Sequence, residues 1–271
     1  MPYFDGEEEI RAMIRKNYAM IFMLTMIATF VLLTNQTYAG FVEKGLVSYY
    51  SFNDVNGEEV IDDWGPNNGV LEGPVLPKAA TGKYGDALRF NGQDSRVNCG
   101  NDESLDITKA LSIEAWVYME IRGSYPTIVG KSGSNWGYIF EFLTDTGKIN
   151  LYLDGANPSW ANVASTSVKL EEWAHIAATY DGKTVRYYFN GEPDGDYPAT
   201  ANAILSNQDN VHIGMRKVGE PHFFTGIIDE VRIYNRALEA AEVKVNMNAE
   251  GAAVNPVDAA AVTWGRIKYS N

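Results

Sequence analysis

The chain has one cysteine, three histidines and fewer basic than acidic residues, and each shortage excludes a class of protein. A single cysteine, Cys99, can form no disulfide within the chain. The 22 Lys and Arg residues against 35 Asp and Glu residues give a formal net charge of −13. Nucleic acids and anionic membrane surfaces both require basic patches. We therefore expect no nucleic-acid partner, and a buried, unreactive thiol at Cys99 in the strand-like stretch around it.

Sequence signatures of catalysis are also lacking. Glycoside hydrolases of β-sandwich type carry carboxylates at alternating positions of one strand, in the pattern Glu-x-Asp-x-(x)-Glu, and this chain has no such run. Asp229 and Glu230 are adjacent, so regular alternation would point them to opposite faces. No serine-nucleophile elbow and no zinc motif occurs. The sequence therefore predicts no catalytic residues and no enzymatic activity.

The N-terminal residues have the order of a secretory leader. Arg15 and Lys16 precede an uncharged, mostly apolar run over residues 19–33, and a polar stretch then ends at Ala39. A run of this length is short for a bilayer span, which needs roughly 20 residues. We predict a signal peptide over residues 1–39, with Met13 as the better-placed start. The alternative is an uncleaved anchor. Cleavage would give a secreted or periplasmic or extracellular-envelope protein without membrane insertion.

The remaining chain reads as strands separated by turns. Residues 111–119 alternate apolar and polar side chains, as in a strand with one face on a core. Asp181-Gly182 between two strand-like runs predicts a hairpin. Residues 238–247 alone read as helix, with Leu238, Ala241 and Val245 spaced for one face. This pattern predicts one all-β sandwich or jelly roll over residues 40–250, followed by a tail over residues 251–271.

Four groups of segments occur in an order typical of one family. They are Gly45–Asn53 with Val60–Gly69, Gly85–Val97 with Leu111–Val117, Trp173–Gly182 with Tyr187–Gly191, and Gly226–Leu238. Over about residues 45–248 the chain resembles the laminin-G-like (LamG-like) jelly-roll domain of the concanavalin A-like lectin/glucanase superfamily. The resemblance implies an all-β, two-sheet antiparallel jelly-roll sandwich with one short C-terminal helix. It also implies a secreted binding module.

The same resemblance implies a structural calcium where the last strand lies beside the first, because jelly rolls of this superfamily often hold one there. Calcium takes carboxylate and carbonyl oxygens. The implied ligands are Asp229 as the carboxylate, with Asn53 or Asp54 and Gly92 or Asp94 as partners. The alternative is that Asp229 accepts hydrogen bonds from a loop backbone, or pairs with Arg89 or Arg232.

Two loops, residues 131–138 and 154–162, each place a tryptophan among small polar residues. Sugar sites combine exposed aromatic rings with amide and carboxylate groups. The predicted ligand-binding residues are Trp136, Tyr138, Asn157 and Trp160. Residues 222–224, His-Phe-Phe, are a weaker third candidate. The alternative is that these tryptophans cover an edge of the core. Trp116 and Trp173 lie within regular strands, and we expect them to pack against a sheet. We also expect His175 to be a structural histidine with its hydrogen bonds satisfied, and Arg232 to pair with a nearby acid.

The sequence thus predicts an exported, non-catalytic binding or adhesion module that recognises a glycan or an extracellular or envelope protein. A glycan-cleaving enzyme with an unrecognised site, and a purely structural adhesive domain, remain the alternatives. Fold resemblance does not decide among them.

Overall fold

The computed structural model describes residues 40–159, 163–200, 203–217 and 222–249. The predicted signal peptide, Trp160 and the predicted tail lie outside the described residues. The chain divides into two units after Gly40, and all the described strands and the helix belong to the unit that begins at Phe41.

Strands make up most of the described structure. In chain order they are β1 (Leu46–Tyr50), β2 (Val55–Asn56), β3 (Glu59–Val60), β4 (Gly69–Glu72), β5 (Lys78–Thr81), β6 (Asp86–Asn91), β7 (Arg96–Asn98), β8 (Leu111–Met119), β9 (Thr127–Lys131), β10 (Tyr138–Phe142), β11 (Ile149–Leu153), β12 (Trp173–Tyr180), β13 (Thr184–Phe189), β14 (Glu192–Pro198), β15 (Val211–Ile213), β16 (Met215–Arg216), β17 (His222–Phe223) and β18 (Thr225–Tyr234). Within the described ranges, a 3₁₀ turn spans Glu103–Leu105 and one α-helix, α1, spans Ala240–Asn248.

The strands form two large antiparallel sheets. The first sheet has the order β14-β13-β12-β8-β18-β6-β5, and β1 also pairs with β18. The second sheet has the order β11-β10-β9-β15-β7-β4-β3-β2, and β16 pairs with β17 as a separate hairpin. Buried apolar side chains from both sheets form one large core cluster between them. The predicted two-sheet antiparallel jelly-roll sandwich is confirmed.

Strand β8 shows how the sequence pattern makes this sandwich. Its predicted core face is confirmed, because Leu111, Ile113 and the residues that alternate with them belong to the core cluster. The opposite face is buried as well: Glu114 is fully buried and Trp116 is 6% exposed. That outer face is covered by the turn after β5 and by α1, which a pattern within one strand cannot reveal.

The predicted hairpin joins β12 to β13. Asp181 accepts hydrogen bonds from the backbone amides of Lys183 (2.9 Å) and Thr184 (2.8 Å) through Oδ1. Gly182 has a φ of +94°, a conformation that glycine adopts at little cost. The flanking residues Tyr180 and Val185 face each other across the two strands. The Asp-Gly pair therefore fixes this register locally.

Strand β18 contains a bulge at Asp229–Glu230, where its partner on one side changes from β6 to β1. Glu230 has a φ of +54°. The two acids were expected on opposite faces, and this is wrong, because a bulge adds a residue and interrupts the alternation. Both side chains leave the core side. Asp229 reaches the turn after β5, and Glu230 reaches Tyr49 on β1.

Helix α1 begins two residues later than predicted. Glu239 is the N-cap, and its reciprocal capping box with Glu242 starts the helix at Ala240. The predicted apolar face is also wrong, because Val245 is 42% exposed, whereas Val243 and Asn246 are buried. A polar residue thus anchors this helix to the first sheet.

The lone thiol has the expected environment. Cys99 is 2% exposed within the core cluster. Burial raises the pKa of this thiol to about 12, which leaves it protonated at neutral pH. The predicted buried thiol at Cys99 is confirmed.

Candidate functional site

A polar cleft of about 470 Å³ opens on the outer face of the second sheet, the face turned away from the core. Along β4 and β7, Leu71 and Val97 point into the core, so their neighbours Glu72, Arg96 and Asn98 point outward. His212 on β15 faces Asn98 across the strand pair. Strand alternation therefore builds the floor of the cleft from three strands that are distant in the chain.

Loops and the β16–β17 hairpin form the walls of this cleft. The walls carry Ser132, Gly133, Gln208, Asp209, Asn210, Met215, Lys217 and Phe223. The lining is mainly amide, carboxylate and other polar groups, with one aromatic ring. This composition suits a ligand that offers many hydroxyl groups and some apolar ring surface.

His212 lies at the floor of the cleft and is 6% exposed. Burial, with smaller contributions from Arg96 and Lys217, lowers the pKa of its imidazole to about 4, although the Glu72 carboxylate opposes this. The ring is therefore uncharged at neutral pH. It can serve as a hydrogen-bonding surface but does not add positive charge to the cleft.

The first predicted ligand loop contributes to one wall of the cleft, but through Ser132 and Gly133 and not through its aromatic residues. Trp136 is half-buried and packs against Tyr152, with ring centroids 4.8 Å apart, and against Ile139. The Arg216 guanidinium lies 5.3 Å from the centre of the Trp136 ring. Tyr138 is 1% exposed, and its hydroxyl donates to the Leu105 carbonyl oxygen (3.2 Å). Its side chain is therefore not available to a ligand here.

The second predicted loop starts beside the first. The Asp154 amide donates to the Gly137 carbonyl oxygen at 2.7 Å, so the two loops meet at one end of the β10–β11 hairpin. Asn157 is exposed, and its backbone pairs with Thr200. Asn157 does not line the cleft. The third candidate segment, residues 222–224, does contribute to the cleft, because Phe223 forms part of its wall.

Two of the predicted calcium ligands, Asp229 and Asn53, bond to the backbone of one turn, the turn after β5. Asp229 Oδ2 accepts hydrogen bonds from the backbone amides of Lys83 (2.8 Å) and Tyr84 (3.0 Å). Acceptance from a loop backbone is the alternative that the sequence also allowed for Asp229. Asn53 Oδ1 accepts from the Asp86 amide at the other end of the same turn (2.8 Å). Burial raises the pKa of Asp229 to about 8.

The remaining implied ligands lie elsewhere. Gly92 and Asp94 follow β6 at its far end, about 20 Å away at the usual rise of a strand. Asp94 accepts from Asn91 Nδ2 (2.7 Å), and the exposed Asp54 accepts from Asn56 Nδ2 (2.8 Å). In the described part of the chain, no group of three or more His, Cys, Asp or Glu side chains is arranged to hold a metal ion. Calcium binding stays a prediction.

A second group of charges lies buried on the outer face of the first sheet. Arg232 pairs closely with Glu230 and lies 3.8 Å from a Glu114 oxygen. The Tyr49 hydroxyl donates to Glu230 (2.8 Å), and the Arg232 guanidinium lies 4.3 Å from the Tyr49 ring centre. The three charged side chains are fully buried. They are therefore closed to a substrate.

His175 belongs to the same buried group. Its Nε2 lies 3.8 Å from Glu114 Oε2, and burial lowers the pKa of the ring to about 3, so the ring is neutral. Burial also raises the pKa of Glu114 to about 7, against the opposing charge of Arg232. The predicted pairing of Arg232 with an acid is confirmed. His175 is buried in its strand as a structural residue would be, but neither of its ring nitrogens has a hydrogen-bond partner among the described residues, so the expectation of a satisfied histidine is not confirmed.

Sequence reasoning missed most of the cleft. Glu72, Arg96, Asn98 and His212 belong to three short strands, of which only β7 supplies two of them. Alternation beside core residues such as Val97 could have placed them on the outer face. Their meeting depends on the order β15-β7-β4, which no local pattern contains.

Among the described residues, no helix combines the length and the apolar character that a bilayer span requires.

A family model supports the resemblance noted in the sequence. The model of the laminin G family (Laminin_G_3) in the concanavalin A-like lectin/glucanases superfamily matches residues 91–244, more than half of the chain. The chain belongs to this family. A comparison with curated proteins finds no match.

Solved structures with the same fold include binding domains and parts of glycosidases. Domain 4 of AbnA, a GH43 extracellular arabinanase from Geobacillus stearothermophilus solved with arabinotriose, is 23% identical, with a TM-score of 0.59 over 75% of this chain and 98% of that one. The binding domain of Paraclostridial Mosquitocidal Protein 1 is 19% identical, with a TM-score of 0.59 over 76% of this chain and 52% of that one. A Trypanosoma rangeli sialidase mutant is 16% identical, with a TM-score of 0.55 over 76% of this chain and 33% of that one.

A structure of botulinum neurotoxin type C, whose cell entry is described as dependent on two ganglioside molecules, is 12% identical, with a TM-score of 0.58 over 76% of this chain and 51% of that one. The chain therefore spans nearly all of the arabinanase domain but only a third to a half of the others. These likenesses establish the fold that the chain shares with both binding domains and glycosidases.

Proposed function

We propose that this protein is an exported, non-catalytic glycan-binding module, and that its ligand lies in the polar cleft on the second sheet. The observation that carries the proposal is the cleft itself. It combines the Gln208 and Asn210 amides, the neutral ring of His212 and the aromatic ring of Phe223 in about 470 Å³. Hydroxyl groups of a sugar pair with such amides, and an apolar sugar face packs on such a ring.

Two structural relatives support the ligand class. The arabinanase domain was solved with arabinotriose, and the neurotoxin is described with gangliosides. Both ligands contain sugars. The relatives are too distant in sequence for their ligand residues to be carried over to this chain.

The absence of catalysis is part of the proposal. Glu114 and Glu230 both lie beside Arg232 on the first sheet, and both are buried and bound by neighbours. A retaining glycosidase needs two carboxyl groups about 5 Å apart that face a substrate. Release of reducing sugar from any bound glycan would favour the hydrolase alternative. That alternative has support because a sialidase shares this fold.

Export rests on the predicted leader over residues 1–39. N-terminal sequencing of the protein from its native host should give Gly40 as the first residue. Finding Met1 or Met13 at the N-terminus would favour the uncleaved anchor.

The test of the binding proposal is a glycan array followed by titration of any ligand found. Phe223→Ala should weaken binding about fivefold, since an aromatic platform adds on the order of 1 kcal/mol beyond burial. Val245→Ala, an exposed residue of α1 remote from the cleft, is the matched control and should bind like the wild type. Equal affinity of the two variants would contradict the assignment to the cleft.

Calcium binding is tested by recording the melting curve of the protein with and without EDTA. A calcium-bound domain should lose about 2.7 kcal/mol of stability when calcium at a hundredfold excess over its Kd is removed. An unchanged melting curve, with no metal found by elemental analysis, would remove calcium from the proposal.

A further inference from the structure

The guanidinium of Arg96, on the floor of the cleft, is already paired with protein groups. Arg96 donates through Nε to Glu72 Oε2 (2.9 Å), and its Nη2 lies 2.8 Å from the same oxygen. Its Nη1 donates to the Asp94 carbonyl oxygen (3.1 Å). All three guanidinium nitrogens therefore have partners. The charge of Arg96 is paired with the Glu72 carboxylate, although two of its five N–H donors make no further bond among the described residues.

The carboxylates of the cleft are matched as well. Glu72 Oε1 accepts from Asn98 Nδ2 (2.8 Å), and these bonds from Asn98 and Arg96 hold the pKa of Glu72 below its usual value although burial opposes this. Asp209 accepts from the backbone amides of Ser134 (3.0 Å) and Asn135 (2.9 Å). Glu72 is therefore paired with a cation, whereas Asp209 is held only by uncharged backbone amides.

The groups that remain for a ligand are mostly uncharged. Gln208 is exposed and makes one long hydrogen bond, from Asn101 to its Oε1 (3.5 Å). The Asn210 side chain donates through Nδ2 to Asn98 Oδ1 (3.0 Å), and its Oδ1 remains as an acceptor for a ligand. His212 is neutral at the floor of the cleft. Two charges of the lining have no oppositely charged partner among the ion pairs given above: the Asp209 carboxylate, and Lys217, an exposed ammonium on the wall. Water and salt weaken the attraction of Lys217 for an anion.

We infer that the cleft selects an uncharged sugar, recognised through hydroxyl groups, over a sugar acid such as a uronic or sialic acid. The inference rests on the glycan-binding function proposed above. A sugar carboxylate in the cleft would lose water without gaining an unpaired cation at its floor, and an unpaired buried charge is costly. A sugar hydroxyl would meet neutral donors and acceptors instead.

The test uses the full chain and pairs of oligosaccharides that share a core and differ only in a terminal acidic sugar. The neutral member should bind about tenfold more tightly, the ratio expected for about 1.4 kcal/mol. Its affinity should change less than about twofold between about 50 and about 300 mM NaCl, since no ion pair contributes.

Two variants separate the neutral groups from the charge. Gln208→Ala should weaken binding of the neutral glycan about fivefold, the effect of one lost hydrogen bond. Lys217→Gln should change it less than about twofold, like the control Lys109→Gln at an exposed position outside the cleft lining.

Three results would overturn the inference. If the acidic oligosaccharide bound more tightly and Lys217→Gln removed that advantage, the cleft would recognise a carboxylate. The proposed glycan binding would then still hold, but the inference would be wrong. Full neutral-glycan binding by Gln208→Ala would place the ligand elsewhere. No binding of any glycan would remove the proposed function together with the inference.

Discussion

Asn246 joins both ends of the described domain to one buried carboxylate. Its Nδ2 donates to Glu114 Oε1 (2.6 Å) and to the Tyr234 hydroxyl oxygen (2.9 Å), and its Oδ1 accepts from the Val42 amide (2.7 Å). The side chain is fully buried. Replacing Asn246 with leucine would keep the size of the side chain and remove all three hydrogen bonds.

The expected cost follows from the groups left behind. Glu114 Oε1 would keep only an Arg232 nitrogen, 3.8 Å away, and the Val42 amide would lose its hydrogen-bond acceptor. An unsatisfied buried group costs about 1–3 kcal/mol, and more when it is charged, so Asn246→Leu should lose about 3–5 kcal/mol. For a domain of this size the melting temperature should fall by roughly 10 °C.

Urea unfolding followed by circular dichroism measures this loss. Asn248→Leu is the matched control, because Asn248 lies on the same helix, is exposed and bonds only to the Lys244 carbonyl oxygen (2.7 Å). It should stay within about 0.5 kcal/mol of the wild type. A loss below about 1 kcal/mol for Asn246→Leu, with an unchanged m value, would refute the role given to this residue.

Two further predictions concern pH and an aromatic residue. Burial raises the pKa of Asp229 to about 8 and that of Glu114 to about 7, so the folded state binds these protons more tightly than the unfolded state, and the free energy of unfolding should rise as pH falls from 8 to 6.5. Below pH 6.5 the lowered pKa of His175 has the opposite effect on the free energy of unfolding, because the unfolded state then binds that proton more tightly. Urea titrations that show stability falling as the pH is lowered from 8 to 6.5 would contradict the prediction. Trp136→Ala should melt earlier, because the ring packs on Tyr152, and should leave glycan affinity unchanged. Weakened binding with an unchanged melting curve would instead return Trp136 to the ligand site.

Local patterns predicted what is decided locally. The alternation around Ile113 gave the core face of β8, and Asp181 with Gly182 gave the hairpin. The order of motifs gave the family, because the segments that define it are those that pair in the first sheet, such as β8 with β12 and β18.

The patterns failed where the outcome depends on tertiary contacts. The bulge at Glu230 reverses the expected side of that residue, and it arises where β18 exchanges β6 for β1. Helix α1 buries Asn246 and leaves Val245 exposed, because Glu114 lies beneath it. The cleft is assembled from strands that are far apart in the chain. A tryptophan among polar residues was the available local signal, and Trp136 uses its ring to cover its own sheet.

The most direct measurement of the central claim is amide chemical-shift mapping while the glycan found by array is titrated into the protein. Binding in the cleft predicts saturable shifts at Gln208, Asn210, His212 and Phe223, with little change along α1. Shifts confined to the loops around Trp136 and Asn157, or to the outer face of the first sheet around Trp116, would contradict it.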